Sequence, residues 1–136
     1  MIHRIEPAGV FGVPDLISQV SVPSGRDFAF LSGQVAWDEE GRVVGKGDHV
    51  AQATQIARRI DRVLGALGAG REDIVKETVY VVGYEPRLAP AVLGALHGSP
   101  PPSSTLVGVA RLFAPEFLIE VECVIALPSA AEELAG

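Results

Sequence analysis

The spacing of apolar residues predicts one long amphipathic helix in the first half of the chain. Its apolar face comprises Val50, Ala53, Ile56, Ala57, Ile60, Val63, Leu64 and Leu67, which recur at helical intervals. Asp48 is placed to cap the N-terminus of this helix, and Gly68 or Gly70 is placed to end it. The opposite face is polar, and we interpret it as a solvated surface. Its basic residues are Arg58, Arg59 and Arg62.

Alternating and β-branched segments predict strands on both sides of that helix. The predicted strands lie in residues 1–6, twice within 17–37 with a turn at 23–25, and in 74–83, 105–112 and 117–127. A second, short helix is predicted over residues 91–97, with Pro90 in its first turn. Residues 38–41 are expected to form a further turn, and the tail at 129–136 to be frayed or a short helix. The predicted order is β-β-β-α-β-α-β-β.

The last predicted strand has one apolar side and one mixed side. The apolar side, a core face, carries Ile119, Val121, Cys123 and Ile125. The mixed side carries Leu118, Glu120, Glu122, Val124 and Ala126. Two helices cannot cover both faces of such a sheet, so we expect both to pack on one face. The mixed face is then expected at a subunit interface that contains a polar pocket, within a symmetric oligomer.

Composition restricts the classes of function. The 136 residues are 48% hydrophobic and 21% charged, which predicts a single globular domain over 1–136. The net charge of −6 argues against a nucleic-acid partner. Cys123 is the one cysteine, which excludes an internal disulfide and most metal sites, so no metal is expected. The absence of a signal-peptide pattern, and of an apolar run near the roughly 20 residues of a membrane span, predicts a cytoplasmic protein without a membrane partner.

A series of short motifs runs through nearly the whole chain. They are SGQ at residues 32–34, AQ at 51–52, LGA at 67–69, DIVK at 73–76, VYV at 79–81, VARL at 109–112 and IEVE at 119–122. Each motif alone is unspecific. In this order and spacing the sequence resembles the Rid (reactive intermediate deaminase, YjgF-type) family, which is also labelled endoribonuclease L-PSP.

The resemblance implies an α+β, chorismate-mutase-like (ferredoxin-like) fold, with two helices on one face of a mixed sheet. It further implies a homotrimeric barrel with small-molecule pockets at the subunit interfaces. Members with the full motif hydrolyse enamines and imines, such as 2-aminoacrylate, to 2-keto acids and ammonia without a metal or organic cofactor. An arginine binds the substrate carboxylate, and a glutamate near the end of the last strand positions or activates water.

Carried over by position, the resemblance implies that Glu120 is the catalytic acid–base group. The other positions implied to contact substrate are Ser32, Gly33, Ser104, Thr105, Ile17 and Val92. Ser104 stands where the family has its carboxylate-binding arginine, and serine cannot replace that clamp. We therefore expect poor hydrolysis of simple 2-imino acids and a preference for an uncharged or larger substrate. His97, at the end of the short helix, either interacts with the helix dipole or lines the pocket.

Two functions remain open on the sequence alone. The first is a cofactor-independent enzyme that hydrolyses or tautomerises an enamine, imine or related carbonyl compound, and the presence of Glu120 favours it. The second is a non-catalytic small-molecule-binding trimer, which Ser104 in place of an arginine favours. Glu120 could then be an interface carboxylate, and Glu122 is expected to be structural, paired with Arg111 across the interface. An endoribonuclease is least favoured, because the acidic chain has no basic groove.

Overall fold

The computed structural model describes residues 1–129, so the predicted tail beyond Ser129 lies outside the described residues. The elements are β1 Ile2–Ile5, β2 Val20–Pro23, β3 Phe28–Val35, α1 His49–Ala66, β4 Ile74–Val82, α2 Leu88–Leu96, β5 Ser103–Val109 and β6 Ile119–Ala126. A 3-10 turn, Arg71–Asp73, precedes β4. The predicted order of strands and helices is confirmed.

The strands form a mixed sheet and a separate small one. The main sheet has the order β3-β6-β4-β5, in which β4 and β5 are parallel and the other pairs antiparallel. Among the described residues, strands β1 and β2 pair only with each other. The buried side chains of α1 and α2 join those of β4 and β6 in one hydrophobic core, so both helices cover the same face of the main sheet. This confirms the predicted α+β architecture.

Helix α1 follows its sequence pattern closely. The Asp48 side chain accepts a hydrogen bond from the Ala51 N–H at 3.0 Å, which confirms the predicted N-terminal cap. Gly68 has φ +68°, a left-handed conformation that ends the helix at little steric cost. Ile56 and Leu64 are almost completely buried, and burying each such side chain contributes about 1.5–3 kcal/mol.

Other element boundaries differ from the predicted ones. Helix α2 begins at Leu88 rather than at residue 91, because a turn at 85–88 already gives the chain helical hydrogen bonds. Pro90 lies in the first turn, where its missing N–H has no cost. Strand β5 ends at Val109 rather than at residue 112, since its partner β4 ends at Val82, directly opposite.

The main sheet has one covered face and one open face. The predicted core residues of β6 are all at most 4% exposed: Ile119, Val121, Cys123 and Ile125. The opposite face remains partly open, and Phe28 and Phe30 of β3 are 48% and 79% exposed there. Ala126 lies on the mixed side, as expected, but it is fully buried; it is paired with Phe28, and its carbonyl accepts a hydrogen bond from Arg26. Within residues 1–129, no helix is long and apolar enough to cross a membrane.

Candidate functional site

A cleft of about 350 Å³ lies on the open face of the sheet, near the start of β6. The strand register assembles it, because Glu120 is paired with Tyr80 of β4 on one side and with Val35 of β3 on the other. The lining residues come from three strands and from the connection between β5 and β6. They are Gly33, Tyr80, Val109, Arg111, Leu112, Glu120 and Glu122.

Gly33 makes room for the Glu120 carboxyl group. The pairing of β3 with β6 is irregular between Leu31 and Gln34, so Ser32 and Gly33 lie in a bulge that faces Glu120. A methyl group at Gly33 would fall 2.8 Å from Glu120 Cδ, and the carboxyl group would have to move away. The predicted site residues Gly33 and Glu120 are therefore in direct contact across two strands.

The electrostatic setting of Glu120 favours its protonated form. Burial raises the pKa of Glu120, and the nearby Glu122 carboxylate raises it further. Within residues 1–129 the Glu120 carboxyl group has no hydrogen-bond donor to stabilise its charge. Glu122 is held by the Tyr80 hydroxyl, which donates to its Oε1 at 2.5 Å, and this hydrogen bond raises the pKa of Tyr80. A carboxyl group whose pKa is raised is a stronger base than an ordinary glutamate and is suited to take up and release a proton.

The arginines near the sheet have different roles. Arg111 lies on the cleft wall and is the cation among the lining residues. Arg26 forms a buried ion pair with Asp73 at 2.7 Å and donates to the Ala126 carbonyl, at the far end of β6. Arg26 therefore does not reach the Glu120 cleft. Arg111 and Glu122 line the same cleft within one chain, and their predicted pairing across an interface stays a prediction.

Ser104 and His97 meet at a second place, on the covered face of the sheet. Ser104 Oγ donates to Glu77 Oε2 at 2.9 Å, and His97 Nε2 lies 2.6 Å from the same oxygen. The Glu77 and His97 side chains are 2% and 7% exposed. In the sheet register Glu77 is paired with Ser104, whereas Tyr80 is paired with Glu120. Residues three apart on a strand face opposite sides, so this cluster does not join the Glu120 cleft within one chain.

The order of groups in this cluster is unsuited to nucleophilic catalysis. A serine nucleophile needs an imidazole that takes its proton, but Ser104 donates to a carboxylate instead. His97 Nδ1 lies 2.7 Å from the Leu16 carbonyl oxygen, which can only accept, so Nδ1 carries a hydrogen. His97 Nε2 and Glu77 then share one further proton. The pair is neutral as a whole, which is why it can be buried, and we assign it a structural role.

The other predicted contact residues are dispersed. Ser32 is exposed in the bulge beside the cleft. Thr105 Oγ1 accepts a hydrogen bond from Lys76 Nζ at 2.9 Å on the open face. Ile17 packs half-buried against the core. Val92 is fully buried in α2 and, within this chain, offers no surface to a ligand.

Sequence reasoning overlooked Glu77 and Tyr80. Glu77 is in phase with the buried Val79 and Val81, and a carboxylate on the buried side of a strand is a signal that could have been used. Cys123 lies on the same face, and burial raises the pKa of its thiol to about 12, with the Glu77 charge as the next cause. Cys123 therefore behaves as a small apolar side chain, as predicted. Residues 1–129 contain no group of three or more His, Cys, Asp or Glu side chains placed to hold a metal ion.

Comparisons with known proteins agree with this fold. The family model described as Endoribonuclease L-PSP matches residues 18–127. A RutC family protein from Synechocystis is 32% identical over 108 residues, which cover 75% of this chain and 80% of that protein. A Rid family protein of unknown function from Yersinia pestis is 30% identical, with a TM-score of 0.87 over 93% of this chain and 98% of that one. A YjgF family member from Mycobacterium tuberculosis is 25% identical, with a TM-score of 0.61 over 80% and 85% of the two chains. The chain therefore belongs to the Rid family, whose sequence model is described as endoribonuclease L-PSP.

Proposed function

We propose that this Rid family member is a cofactor-independent enzyme that hydrolyses or tautomerises an enamine, an imine or a related carbonyl compound. Glu120 is its acid–base group. The observation that carries the proposal is a carboxyl group with a raised pKa and no hydrogen-bond donor among residues 1–129, in a cleft of about 350 Å³ that Gly33 leaves open. Such a group can accept a proton from water and return it to a leaving nitrogen.

The proposed hydrolysis needs one residue that transfers protons in both directions. The substrate reacts as the protonated imine: the Glu120 carboxylate removes a proton from water as the water oxygen bonds to the imine carbon, and the C=N electron pair moves onto nitrogen to give a neutral carbinolamine. The protonated Glu120 then returns that proton to the nitrogen, the C–N bond breaks with its electron pair on the departing ammonia, and the hydroxyl group gives its proton to water, which leaves a carbonyl compound. An enamine first takes up a proton on carbon, which converts it to the imine. The raised pKa of Glu120 suits both the removal of a proton from water and its return to nitrogen.

In a trimer in which one subunit brings Ser104 to the Glu120 cleft of its neighbour, the surroundings of Ser104 support a substrate without a carboxylate at that position. Ser104 already donates its proton to Glu77, so its hydroxyl has no hydrogen left for a substrate carboxylate. We propose an uncharged or larger imine or enamine in place of a simple 2-imino acid.

A panel of matched imines, with and without an α-carboxylate, tests this proposal. We expect ammonia and carbonyl release from the uncharged imines to exceed the spontaneous rate in water, with little acceleration for 2-aminoacrylate. Equal acceleration of both classes would contradict the exclusion of substrate carboxylates at Ser104. Arg111, which lines the cleft, would then be the residue expected to bind the carboxylate. No acceleration of any imine, together with saturable binding, would favour the non-catalytic binding protein.

We also propose that the open face of the sheet is covered by other copies of the chain in a homotrimer, with the ligand bound at the subunit interfaces. Phe28 and Phe30, which pair with Ala126 and Val124 on the same face as the Glu120 cleft, expose much of their side chains. Light scattering at micromolar concentration is expected to give about three times the chain mass of 14.3 kDa. A stable monomer would contradict the interface, and the location of the pocket with it.

A further inference from the structure

A buried glutamine of α1 holds the connection that forms the wall of the Glu120 cleft. Gln52 is fully buried, on the face of α1 that packs against the core. Its Nε2 donates to the Glu116 carbonyl at 2.9 Å and to the Gly45 carbonyl at 3.2 Å. Its Oε1 accepts from the Leu118 N–H at 2.8 Å. The side-chain amide of Gln52 thus uses both of its N–H groups and its oxygen in hydrogen bonds to backbone groups.

The backbone groups that Gln52 binds belong to the segment that leads into Glu120. Residues 110–118 connect β5 to β6, and the segment places Arg111 and Leu112 in the cleft wall. It ends at Leu118, two residues before Glu120. The Leu118 carbonyl also accepts from the Val82 N–H at 2.8 Å, so Leu118 is fixed by α1 on one side and by β4 on the other.

We infer that Gln52 is a positioning residue for the cleft: it fixes the β5–β6 connection and thereby keeps the Glu120 carboxyl group partly shielded from water. Its importance for turnover rests on the proposed function of Glu120. The structural part of the inference does not depend on that function, because the shielding of a carboxyl group can be measured without a substrate.

Loss of stability alone does not test this inference. Any replacement that removes the amide leaves the Glu116 carbonyl and the Leu118 N–H without their partner and removes one of the two hydrogen bonds to the Gly45 carbonyl, so the protein becomes less stable whether or not the cleft changes. The informative quantity is the titration midpoint of Glu120 in the folded protein. Burial is the larger cause of its raised pKa, so this midpoint reports how well the cleft wall excludes water.

The experiment compares Gln52→Met with Gln55→Met. Gln55 lies on the same helix, and its Nε2 donates to the Trp37 carbonyl at 3.0 Å, in a segment that does not line the cleft. The side-chain carboxyl carbon of Glu120 is titrated by NMR in each full-length variant, well below its unfolding temperature. We expect the midpoint to fall towards the ordinary glutamate value in Gln52→Met and to stay at the wild-type value in Gln55→Met.

An unchanged Glu120 midpoint in folded Gln52→Met would overturn the inference, as would an equal fall in both variants. If Gln52→Met does not fold, Gln52→Asn replaces it, because the shorter amide keeps its polarity but cannot reach all three backbone groups. Steady-state kinetics give a second readout, in which we expect kcat to fall more than KM changes. Failure of the proposed function is separate, since it would appear as unchanged activity in Glu120→Gln while the titration result still stood.

Discussion

Replacing Glu120 by glutamine is expected to lower turnover by roughly 10²–10⁴-fold, the usual cost of losing a general acid–base group. Glutamine keeps the shape of the side chain and can still form hydrogen bonds, but it cannot accept a proton from water. Glu120 has no hydrogen-bond donor within residues 1–129, so the exchange breaks no contact there. The oligomeric state and the melting temperature are therefore expected to change little. Steady-state rates, light scattering and thermal unfolding measure the three quantities.

A second variant moves the carboxyl group without removing it. Gly33→Ala places a methyl group against Glu120, so we expect a displaced carboxyl group and a smaller fall in rate than in Glu120→Gln. Gly94→Ala in α2 is the matched control, because a methyl group there meets no atom within 4 Å. Full activity of folded Glu120→Gln would end the catalytic assignment of Glu120. A less stable trimer, with activity in proportion to the trimer that remains, would instead indicate that Glu120 is a structural carboxylate at the interface.

The pH dependence of the rate follows from the same carboxyl group. The ionised form of Glu120 is the base, so the rate is expected to fall as the pH drops through its raised pKa. Glu122→Gln removes one cause of that shift and keeps an acceptor for the Tyr80 hydroxyl, so the fall should move to lower pH. A raised carboxyl pKa also means that the folded state loses some stability as the pH rises above the ordinary glutamate value. Glu120→Gln should therefore not lower the melting temperature at neutral pH.

The fold was predictable where the signal is local. The helical period and the Asp48 cap specify α1, and alternation specifies which side of β6 is buried. The pairing of β1 with β2 in a separate sheet was not predicted, since partner choice between strands depends on contacts far apart in sequence. Ala126 is buried although it lies on the mixed side, because Arg26 and Phe28 cover it at the end of the strand.

The site was predictable only in part. The family motifs indicated Gly33 and Glu120, and strand pairing brings these two together. Ser104 and His97 were assigned to the same pocket, but their partner Glu77 lies on the covered face of the sheet. Which face a residue of β5 occupies depends on its register with β4, and the sequence of one strand does not contain that register.

Breaking the buried Glu77–His97 pair is expected to lower the free energy of unfolding by about 3–5 kcal/mol, the usual cost of leaving one member of a buried ion pair alone. His97→Leu leaves the Glu77 carboxylate without its neutralising partner at 2% exposure, and it also removes the donor to the Leu16 carbonyl. Denaturant unfolding at neutral pH measures the loss. Ser104→Ala removes one hydrogen bond to Glu77 and keeps the pair, so its effect should be smaller.

The double variant Glu77→Leu/His97→Leu, compared with the two single variants, measures how strongly the two side chains are coupled in the free energy of unfolding. Because two apolar side chains often replace a buried ion pair at little cost, the double variant should be more stable than His97→Leu alone. Single-variant losses that simply add in the double variant would show that the two side chains are not coupled, and the shared proton would then have no energetic role.

The cluster and the Glu120 cleft lie on opposite faces of the sheet within the chain. A fall in activity per folded protein in Ser104→Ala would therefore mean that a neighbouring copy brings this edge of the sheet to the cleft.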